Sequence, residues 1–428
     1  MTDSHEIVAV RGARRWDSRG RPTVEVEIRT PVGVGRAIAP AGASTGTGEA
    51  VDLRDGGPGF GGMDVATAVR NVDTVIAKAL LGRRVDDQAG IDTALESVDG
   101  TSSFASIGGN AAVATSMAAA HAAAAVEGVP LWRHLNPDAR QLPLPEIQIF
   151  GGGAHAHGRI DLQDLMVVPY GASSFAEAVD WAVEIHRAGG RWLDDRGRLA
   201  GVADEGGWWP AFDSNVQALD ALVAAIEGAG LVPGDQVGIS IDVASTQLVT
   251  AEGYSLASEG RVLDRDDWRA ELLTWLSKYP IASIEDPFAE DDPAGMQSIT
   301  TAVGERVQVV GDDFLVTDAK RVRAAADDRS VNSVLIKPNQ AGTLTRAKAA
   351  FDAAAAEGLG AIVSARSGET EDVTIAHLAV GWGSGGFKVG SVTRSERTAK
   401  WNEMMRIEEE LGASGRFAGR AGLGPWLR

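Results

Sequence analysis

Hydrophobic and polar positions in the first part of the chain predict both strand and helix. Within residues 23–30, two valines and an isoleucine alternate with charged residues, a pattern typical of a strand with one buried face. Residues 40–50 are rich in Gly, Ser and Thr and show no period, which predicts a loop. The alanine-rich stretch of residues 110–127 predicts a helix that ends before Gly128, because alanine has the highest helical propensity.

The pattern changes after residues 136–150, a segment that contains three prolines. We place a domain boundary there, between an N-terminal α+β domain of residues 1–138 and a C-terminal domain of residues 139–428. In the second domain, short apolar runs typical of strands alternate with helical runs such as residues 174–189. This alternation predicts an α/β domain with a parallel sheet, and the number of repeats favours a closed (β/α)8 TIM barrel.

Apolar runs in the second domain end at or beside single charged residues. These residues are Asp242, Glu285, Asp312, Lys337, Arg366 and Lys388. The C-terminal ends of barrel strands meet at one mouth, so we expect these side chains to share a pocket. Carboxylates without cysteine or clustered histidine suit Mg²⁺ better than zinc, so the three acids predict a magnesium site. The alternative is that each acid only caps the helix after its strand.

Lys337 and Lys388 suit proton transfer at the same mouth. An ammonium can lose its proton when a neighbouring positive charge lowers its pKa, whereas a guanidinium effectively cannot. One lysine can therefore act as a base while the other stays a fixed cation. A Schiff-base role for either lysine is an alternative that would not require the three acids.

A second group of candidates lies in the segment GVADEGGWWP. Asp204 and Glu205 form an acidic pair beside two glycines that let backbone approach a ligand. Paired carboxylates can divide into an acid and a base when their environments differ, although a turn with solvated acids would look the same. Trp208 and Trp209, which follow, either line the pocket or belong to the core.

His155 and His157 form a His-x-His pair, which begins the zinc site of some barrel hydrolases. Such a site needs further histidines at strand ends. The other histidines fall in the N-terminus, in helical runs or in connecting segments, so the sequence disfavours a zinc hydrolase.

Composition narrows the classes of partner. A chain of 428 residues is long enough for one large and one smaller domain. The formal net charge of −19 disfavours nucleic acid and anionic membranes as partners. No cysteine is present, which excludes disulfides, thiolate metal sites and thiol nucleophiles. No stretch approaches membrane-spanning length, so we expect a cytoplasmic protein without nucleic-acid or membrane partners.

Long motifs, in order along nearly the whole chain, resemble those of the enolase family. They are DSRGRPTVEVE, GASTGTGEAVDLRDG, LQDLMVVP, ADEGG, SIEDPFAEDD, GDDFLVTDAKR, IKPNQAGTLT, RSGETEDVTIAHLAVG and RSERTAKWNEMMRIEEEL. The resemblance implies a smaller N-terminal α+β domain, a modified (β/α)8 barrel and a homodimer or larger homo-oligomer. It also implies two Mg²⁺ ions per active site and a lysine base that removes a proton from carbon, as in the enolase superfamily generally.

The resemblance assigns metal and base roles by motif. Asp242, Glu285 and Asp312 would hold the first Mg²⁺, and Ser44 in its loop would ligate the second. Lys337 would remove the C2 proton of the substrate.

The resemblance also assigns the groups that bind substrate and release the leaving group. Lys388 would grip the substrate carboxylate, and Arg366 with Ser367 would bind its phosphate. Glu205 would assist departure of the C3 hydroxyl, and His155 matches a loop histidine that closes over the phosphate. The implied partner is a small carboxylate that carries a phosphate or phosphonate.

Three segments depart from the family pattern. Enolases have a histidine where this chain has Ala365, and a Gln-Glu pair where it has Gln163 and Asp164. They have Val-Ala-Pro where this chain has Trp208 and Trp209 before a proline. Ala365 and Asp164 belong to the leaving-group side of the pocket, and a misplacement of about 1 Å there can slow a reaction roughly 100-fold.

These departures favour a specialised paralogue that forms an enolpyruvate product by lysine-mediated proton abstraction, such as a carboxyphosphonoenolpyruvate synthase of phosphonate biosynthesis. One alternative is an ordinary enolase, which dehydrates 2-phosphoglycerate to phosphoenolpyruvate with a modified leaving-group site. The other is a non-catalytic enolase-fold binding protein, which the retained acids and lysines disfavour.

Overall fold

The N-terminal part of the chain begins with a small antiparallel sheet. This computed structural model describes residues 3–43 and 45–426. The sheet consists of β1 (Ala9–Trp16), β2 (Pro22–Arg29) and β3 (Val34–Ile38), in that spatial order. β2 forms where alternation predicts a strand, and its valines and isoleucine are buried against the helices.

Among the described residues, five α-helices follow the sheet, and the first, second and fourth of them pack against it. They are α1 (Ala66–Asn71), α2 (Ala77–Leu80), α3 (Gln88–Asp99), α4 (Gly109–Glu127) and α5 (Leu131–Leu135). A π-helical turn, Val72–Ile76, joins α1 to α2. α4 confirms the predicted alanine-rich helix, and it packs on β2 and β3 with most of its residues buried.

Between α5 and residue 426, where the description of the chain ends, thirteen further strands follow, and eight of them form the barrel. They are β4 (Gln141–Leu142), β5 (Leu144–Gly151), β6 (Asp164–Val168), β7 (Gly238–Asp242), β8 (Val249–Thr250), β9 (Gly253–Leu256), β10 (Arg261–Leu263), β11 (Ile281–Glu285), β12 (Gln308–Gly311), β13 (Ser333–Ile336), β14 (Gly360–Ser364), β15 (Gly386–Gly390) and β16 (Arg416–Phe417).

Helices between and after these strands surround the barrel. They are α6 (Phe175–Asp194), α7 (Asn215–Gly228), α8 (Arg265–Lys278), α9 (Pro293–Val303), α10 (Ala319–Asp327), α11 (Pro338–Ala341), α12 (Leu344–Ala356), α13 (Thr374–Trp382) and α14 (Ser395–Leu411). In the part of the chain that the structure describes, no helix is long and apolar enough to cross a membrane.

The barrel closes in the order β11-β12-β13-β14-β15-β5-β6-β7. The predicted α/β fold class with a TIM barrel is therefore confirmed. One strand differs from the parallel sheet expected from the alternation, because β6 runs antiparallel to both β5 and β7. No helix longer than the single 3-10 turn at Gly153–Ala156 separates β5 from β6, so the chain reverses directly.

The antiparallel strand changes which end of β6 reaches the mouth. Asp164, the first residue of β6, lies opposite Asp242, the last residue of β7. Asp242 is also in register with Glu285, the last residue of β11. Three carboxylates from three strands are thereby brought side by side at one rim of the barrel.

The N-terminal part of the chain also reaches this rim. Ala41 and Gly368 exchange two backbone hydrogen bonds, with N···O distances of 2.8 and 2.9 Å. One continuous cluster of buried apolar residues includes both the N-terminal sheet and the barrel helices. The predicted boundary between residues 138 and 139 falls in the connection between α5 and β5.

Gly35 in β3 allows the close approach of α4, and this contact generates a stability prediction. A Cβ atom at Gly35 would lie 2.1 Å from the carbonyl oxygen of Ala118 and 2.2 Å from the amide nitrogen of Ala122. Both atoms belong to the helix backbone and cannot rotate away. We expect Gly35→Ala to lower the free energy of unfolding by about 3 kcal/mol, as overpacking does, measured by urea denaturation.

The matched control is Gly59→Ala. Gly59 is exposed, and a Cβ atom there would have no neighbour within 4 Å. We expect this change to alter stability by less than about 0.5 kcal/mol. Equal stability of the two variants would contradict the packing argument.

Candidate active site

Lys388 is the cation at the centre of the barrel mouth. Its Nζ atom lies 2.9 Å from Oδ2 of Asp242, 2.8 Å from Oε2 of Glu285 and 3.7 Å from Oδ2 of Asp164. Burial disfavours the ammonium, but the charges of Asp242 and Glu285 outweigh it and hold the pKa of Lys388 well above its ordinary value. Lys388 is therefore a fixed positive charge that joins three acids.

Lys337 occupies the neighbouring position, directly after β13. Its Nζ atom donates a hydrogen bond to Oδ2 of Asp312, and Nε2 of Gln340 donates to the other oxygen at 2.9 Å. Burial opposes protonation of Lys337, but the charge of Asp312 raises its pKa above the ordinary value. Arg366 and Lys388 act in the opposite direction and lower it. The protonation state of Lys337 therefore depends on whether Asp312 pairs with this lysine or with another cation.

The two lysines do not pair with every oxygen of the three predicted metal acids. Oε1 of Glu285 is buried and has no hydrogen-bond partner among the described residues. Burial, followed by the charge of Asp242, raises the pKa of Glu285 well above its ordinary value. An all-oxygen donor set with an unpaired buried oxygen fits a hard cation such as Mg²⁺. Asp242, Glu285 and Asp312 would hold that ion.

Asp286 and Asp313 are buried acids at the same rim that the sequence analysis did not single out. Asp286 accepts hydrogen bonds from the backbone N–H groups of Asp312 and Asp313, at 2.9 and 2.8 Å. Oxygen atoms of all three acids lie within 4.8 Å of one another. Burial and the charge of Asp312 raise the pKa of Asp313 to about 7. The doublets Glu-Asp and Asp-Asp at the ends of β11 and β12 were the available sequence signal.

A second group of His155, Asp164 and Glu205 adjoins Lys388 through Oδ2 of Asp164. Nδ1 of His155 lies 3.3 Å from Oδ1 of Asp164, and Nε2 lies 4.0 Å from Oε1 of Glu205. Oδ1 of Asp164 also accepts a hydrogen bond from Nε2 of Gln148. Each ring nitrogen thus faces a different carboxylate, which suits a proton relay better than a chelated metal.

The two carboxylates of this group have pKa values that shift in opposite directions. Burial, followed by the charge of Asp164, raises the pKa of Glu205. Burial would also raise the pKa of Asp164, but the charges of His155 and Lys388 outweigh it and lower that pKa. The charge of Asp164 outweighs burial and raises the pKa of His155. Glu205 therefore has the higher proton affinity of the two acids.

Arg366 lies beside Lys337 and is held by an acid from the N-terminal part of the chain. Its guanidinium nitrogens lie 2.9 and 3.3 Å from the two oxygens of Glu49, and NH1 also donates to Oδ1 of Asn339 at 3.1 Å. Burial favours the neutral form of Arg366, but the charge of Glu49 outweighs burial and raises the pKa of Arg366 above its ordinary value. Sequence reasoning did not select Glu49, whose role depends on a contact 317 residues away.

Ser367 joins the loop of residues 40–50 to the barrel. Its Oγ atom accepts hydrogen bonds from the backbone N–H of Ala43 at 2.7 Å and from Arg19 at 3.3 Å. Arg19, a further cation near the pocket, was also not selected from the sequence. Burial lowers the pKa of Arg19. Ser44, the expected ligand of a second metal, lies outside the described residues.

Most of the site residues expected from the sequence line one cleft at the mouth. They are His155, Gln163, Asp164, Glu205, Asp242, Lys337, Ala365, Arg366, Ser367 and Lys388. Glu285 and Asp312 contact this cleft through the two lysines. Gln163 joins the metal side as well, since its Nε2 atom donates to Oδ2 of Asp242 at 3.2 Å.

The structure places the remaining candidates outside the lining of this cleft. They are His157, Trp208 and Trp209. Trp208 packs away from the cleft, with its ring stacked on His186 at 4.6 Å and its Nε1 atom donating to the carbonyl of His186 at 2.9 Å. Trp209 faces His157, which is exposed, at a ring distance of 6.1 Å. Because His155 faces the acids and His157 does not, the His-x-His pair does not form a zinc site.

Comparisons with known proteins agree with this geometry. Residues 7–135 match the family "Enolase, N-terminal domain", and residues 139–424 match "Enolase, C-terminal TIM barrel domain". The protein named Enolase from Rubrobacter xylanophilus is 45% identical over 426 residues, which cover 99% of each chain. The chain belongs to the enolase family.

Proposed function

We propose that this protein is a Mg²⁺-dependent enolase that dehydrates 2-phosphoglycerate to phosphoenolpyruvate. The observation that carries the proposal is the position of Lys388, whose Nζ atom lies within 3.7 Å of Asp242, Glu285 and Asp164 and so joins the predicted metal acids to the group of His155, Asp164 and Glu205. A substrate held there would meet a base on one side and an acid on the other. Identity of 45% to a protein named Enolase over the full length supports this ordinary activity.

The sequence-based preference for a carboxyphosphonoenolpyruvate synthase has less support. The comparisons give no indication of phosphonate chemistry, and the curated relative carries the ordinary name. They favour the alternative that the sequence analysis kept open. An enolase-type lyase is established by family membership, and the choice of substrate is our proposal.

The metal side would bind the substrate carboxylate. Asp242, Glu285 and Asp312 would hold Mg²⁺, which supplies positive charge beside that carboxylate when bound. We propose a second ion near Ser44. Lys388, kept protonated by its acidic neighbours, would donate a hydrogen bond to the carboxylate, and Arg366 with Ser367 would bind the phosphate.

Lys337 would remove the C2 proton. Its ammonium is paired with Asp312, so the lysine can become neutral only when that carboxylate is compensated by another cation. The positive charges of Arg366 and Lys388 then lower the pKa of Lys337. The C2–H bond breaks, the proton moves to Nζ of Lys337, and the electron pair passes into the substrate carboxylate.

Glu205 would complete the elimination. Its raised pKa keeps a proton available for the C3 hydroxyl group. The C3–O bond breaks, the hydroxyl takes this proton and leaves as water, and the double bond forms between C2 and C3. His155 lies between Glu205 and Asp164 and would return a proton to Glu205 for the next cycle.

Family membership supports the remaining parts of the proposal. We expect a small anionic carboxylate substrate, a homo-oligomeric assembly and a cytoplasmic location.

Ala365 favours a second candidate, the specialised paralogue. Its methyl group lines the cleft directly after β14, where enolases carry an imidazole. A smaller side chain leaves room for a larger substituent at C3 or at the phosphate. The two candidates share the metal and the base and differ only in the leaving-group side.

The activity itself is the first test. We expect the purified protein with Mg²⁺ to convert 2-phosphoglycerate to phosphoenolpyruvate, followed by the ultraviolet absorbance of the enol product. Removal of Mg²⁺ with a chelator should stop the reaction, and added Mg²⁺ should restore it. No turnover with saturating Mg²⁺ would reject the ordinary enolase and leave the specialised paralogue and the non-catalytic binding protein.

Exchange of the C2 proton with deuterated water tests the base. We expect Lys337→Ala to slow this exchange by about 100- to 10,000-fold, the usual contribution of a positioned base. Glu205→Gln should retain exchange and lose elimination, because it removes only the acid. If exchange persists in Lys337→Ala, another group must be the base.

The double change Ala365→His with Asp164→Glu tests the leaving-group side. It restores the two groups that other enolases carry there. We expect the rate of 2-phosphoglycerate dehydration to rise by roughly tenfold or more, since sub-ångström positioning of the acid controls this step. An unchanged rate would show that these two positions do not limit the reaction.

A further inference from the structure

We propose that Trp209 is a positioning residue that holds the His155 loop closed over the leaving-group side of the cleft. Its partners are Arg159 and His157, and we call these three residues the Trp209 clamp. The inference builds on the proposed function, because it gives the clamp a role in elimination. Its geometric part stands on contacts of the described residues alone.

The His155 loop, residues 152–160, is tied to the barrel at its base, whereas the backbone bonds of its tip stay within the loop. The N–H of Gly158 donates to the carbonyl of Gly153 at 2.8 Å, and the N–H of Arg159 donates to the carbonyl of Ala156 at 3.3 Å. Backbone hydrogen bonds join Gly152 to Gln163 and Gly153 to Ile160, each at 2.8 Å. His157 is exposed and has a left-handed φ of 53°, and Arg159 is also exposed. The base fixes where the loop leaves the barrel, whereas the tip needs another contact to stay in place.

Trp209 supplies that contact. The guanidinium carbon of Arg159 lies 5.0 Å from the centre of the indole ring, and NH1 of Arg159 donates to the carbonyl oxygen of Trp209 at 3.3 Å. The centre of the His157 ring lies 6.1 Å from the centre of a ring of the same Trp209 side chain. Cation–π attraction and a hydrogen bond thus act on one arginine at once.

The clamp joins the two loops that carry the proton relay. Trp209 belongs to the segment of residues 201–210, which also carries Glu205. The backbone N–H of Asp204 donates to the carbonyl of His155 at 3.2 Å, which links the same two loops closer to the cleft. The 4.0 Å separation between His155 and Glu205 therefore depends on how closely these loops pack.

Trp208 and Trp209 contact different parts of the molecule: Trp208 packs on α6, and Trp209 contacts the His155 loop. Trp208 is tied to α6 through His186 and fixes the segment to the barrel. Trp209 has a buried Nε1 atom without a hydrogen-bond partner among the described residues, so its side chain contacts the His155 loop through the face of its ring and not through its N–H group. The pair anchors one loop and holds the other.

Limited proteolysis tests the clamp without any assay of activity. Trypsin cleaves after exposed, mobile arginines, so release of the loop should speed cleavage after Arg159. We expect Trp209→Ala to increase that rate by about three- to tenfold, the weight of a surface cation–π contact and the packing beneath it. Mass spectrometry identifies the cut, and Trp209→Phe, which keeps an aromatic face, should stay close to the unaltered protein.

A kinetic comparison tests the positioning role. Arg159→Gln removes the guanidinium from Trp209, and Arg196→Gln removes a similar one from Trp192, where the ring distance is 4.0 Å and NH1 donates to the Trp192 carbonyl at 3.1 Å. We expect Arg159→Gln and Trp209→Ala to slow elimination by about tenfold through misplacement of the relay. Exchange of the C2 proton by Lys337 should stay unchanged, and Arg196→Gln should leave both rates unchanged.

The outcomes separate the inference from the proposed function. Equal cleavage after Arg159 in Trp209→Ala and the unaltered protein would overturn the clamp, as would faster cleavage spread over all sites, which indicates general loosening. Equal loss of exchange and elimination would overturn its positioning role. If the unaltered protein does not act on 2-phosphoglycerate, the proposed function fails while the proteolysis result still decides the clamp.

Discussion

The structure depends on the balance of charge at the barrel mouth. Asp242, Glu285 and Asp164 are buried side by side, and each would be costly there without a compensating cation. The ammonium of Lys388 lies within 3.7 Å of an oxygen of each. The unpaired Oε1 of Glu285 indicates that one lysine does not suffice. The acid cluster could therefore accept a further cation, and the charges of Asp242 and Glu285 keep Lys388 protonated.

Topology explains why these charges meet. β7 and β11 present their last residues at the rim, and the reversal of β6 brings its first residue, Asp164, to the same place. A parallel β6 would carry Asp164 at the opposite end of the barrel. The exception to the strand-helix alternation is thus the feature that joins the acid side of the cleft to the metal side.

Loops and the N-terminal part of the chain complete the site. Glu49 holds Arg366, and Ser367 accepts hydrogen bonds from Arg19 and from the backbone of Ala43. His155 reaches Glu205 only because two loops pack together. The barrel strands thus position the acids and lysines at the rim, while loops position His155, Glu205 and the contacts of Ser367 around the same cleft.

The sequence by itself determined the fold class, the family and most of the predicted site residues that line the cleft. The signals it used are local: strand alternation, an alanine-rich helix and charged residues after apolar runs. Local signals can be read from the sequence because they involve residues that are close together along the chain. It did not reveal the direction of β6, the pairing of Glu49 with Arg366 or the different positions of Trp208 and Trp209. Each of these depends on which distant segments pack together. The preference for a specialised paralogue rested on Ala365 and Asp164 alone, and full-length similarity to an enolase weighs against it. Contacts between residues far apart in sequence are decided only when the tertiary structure brings them within reach.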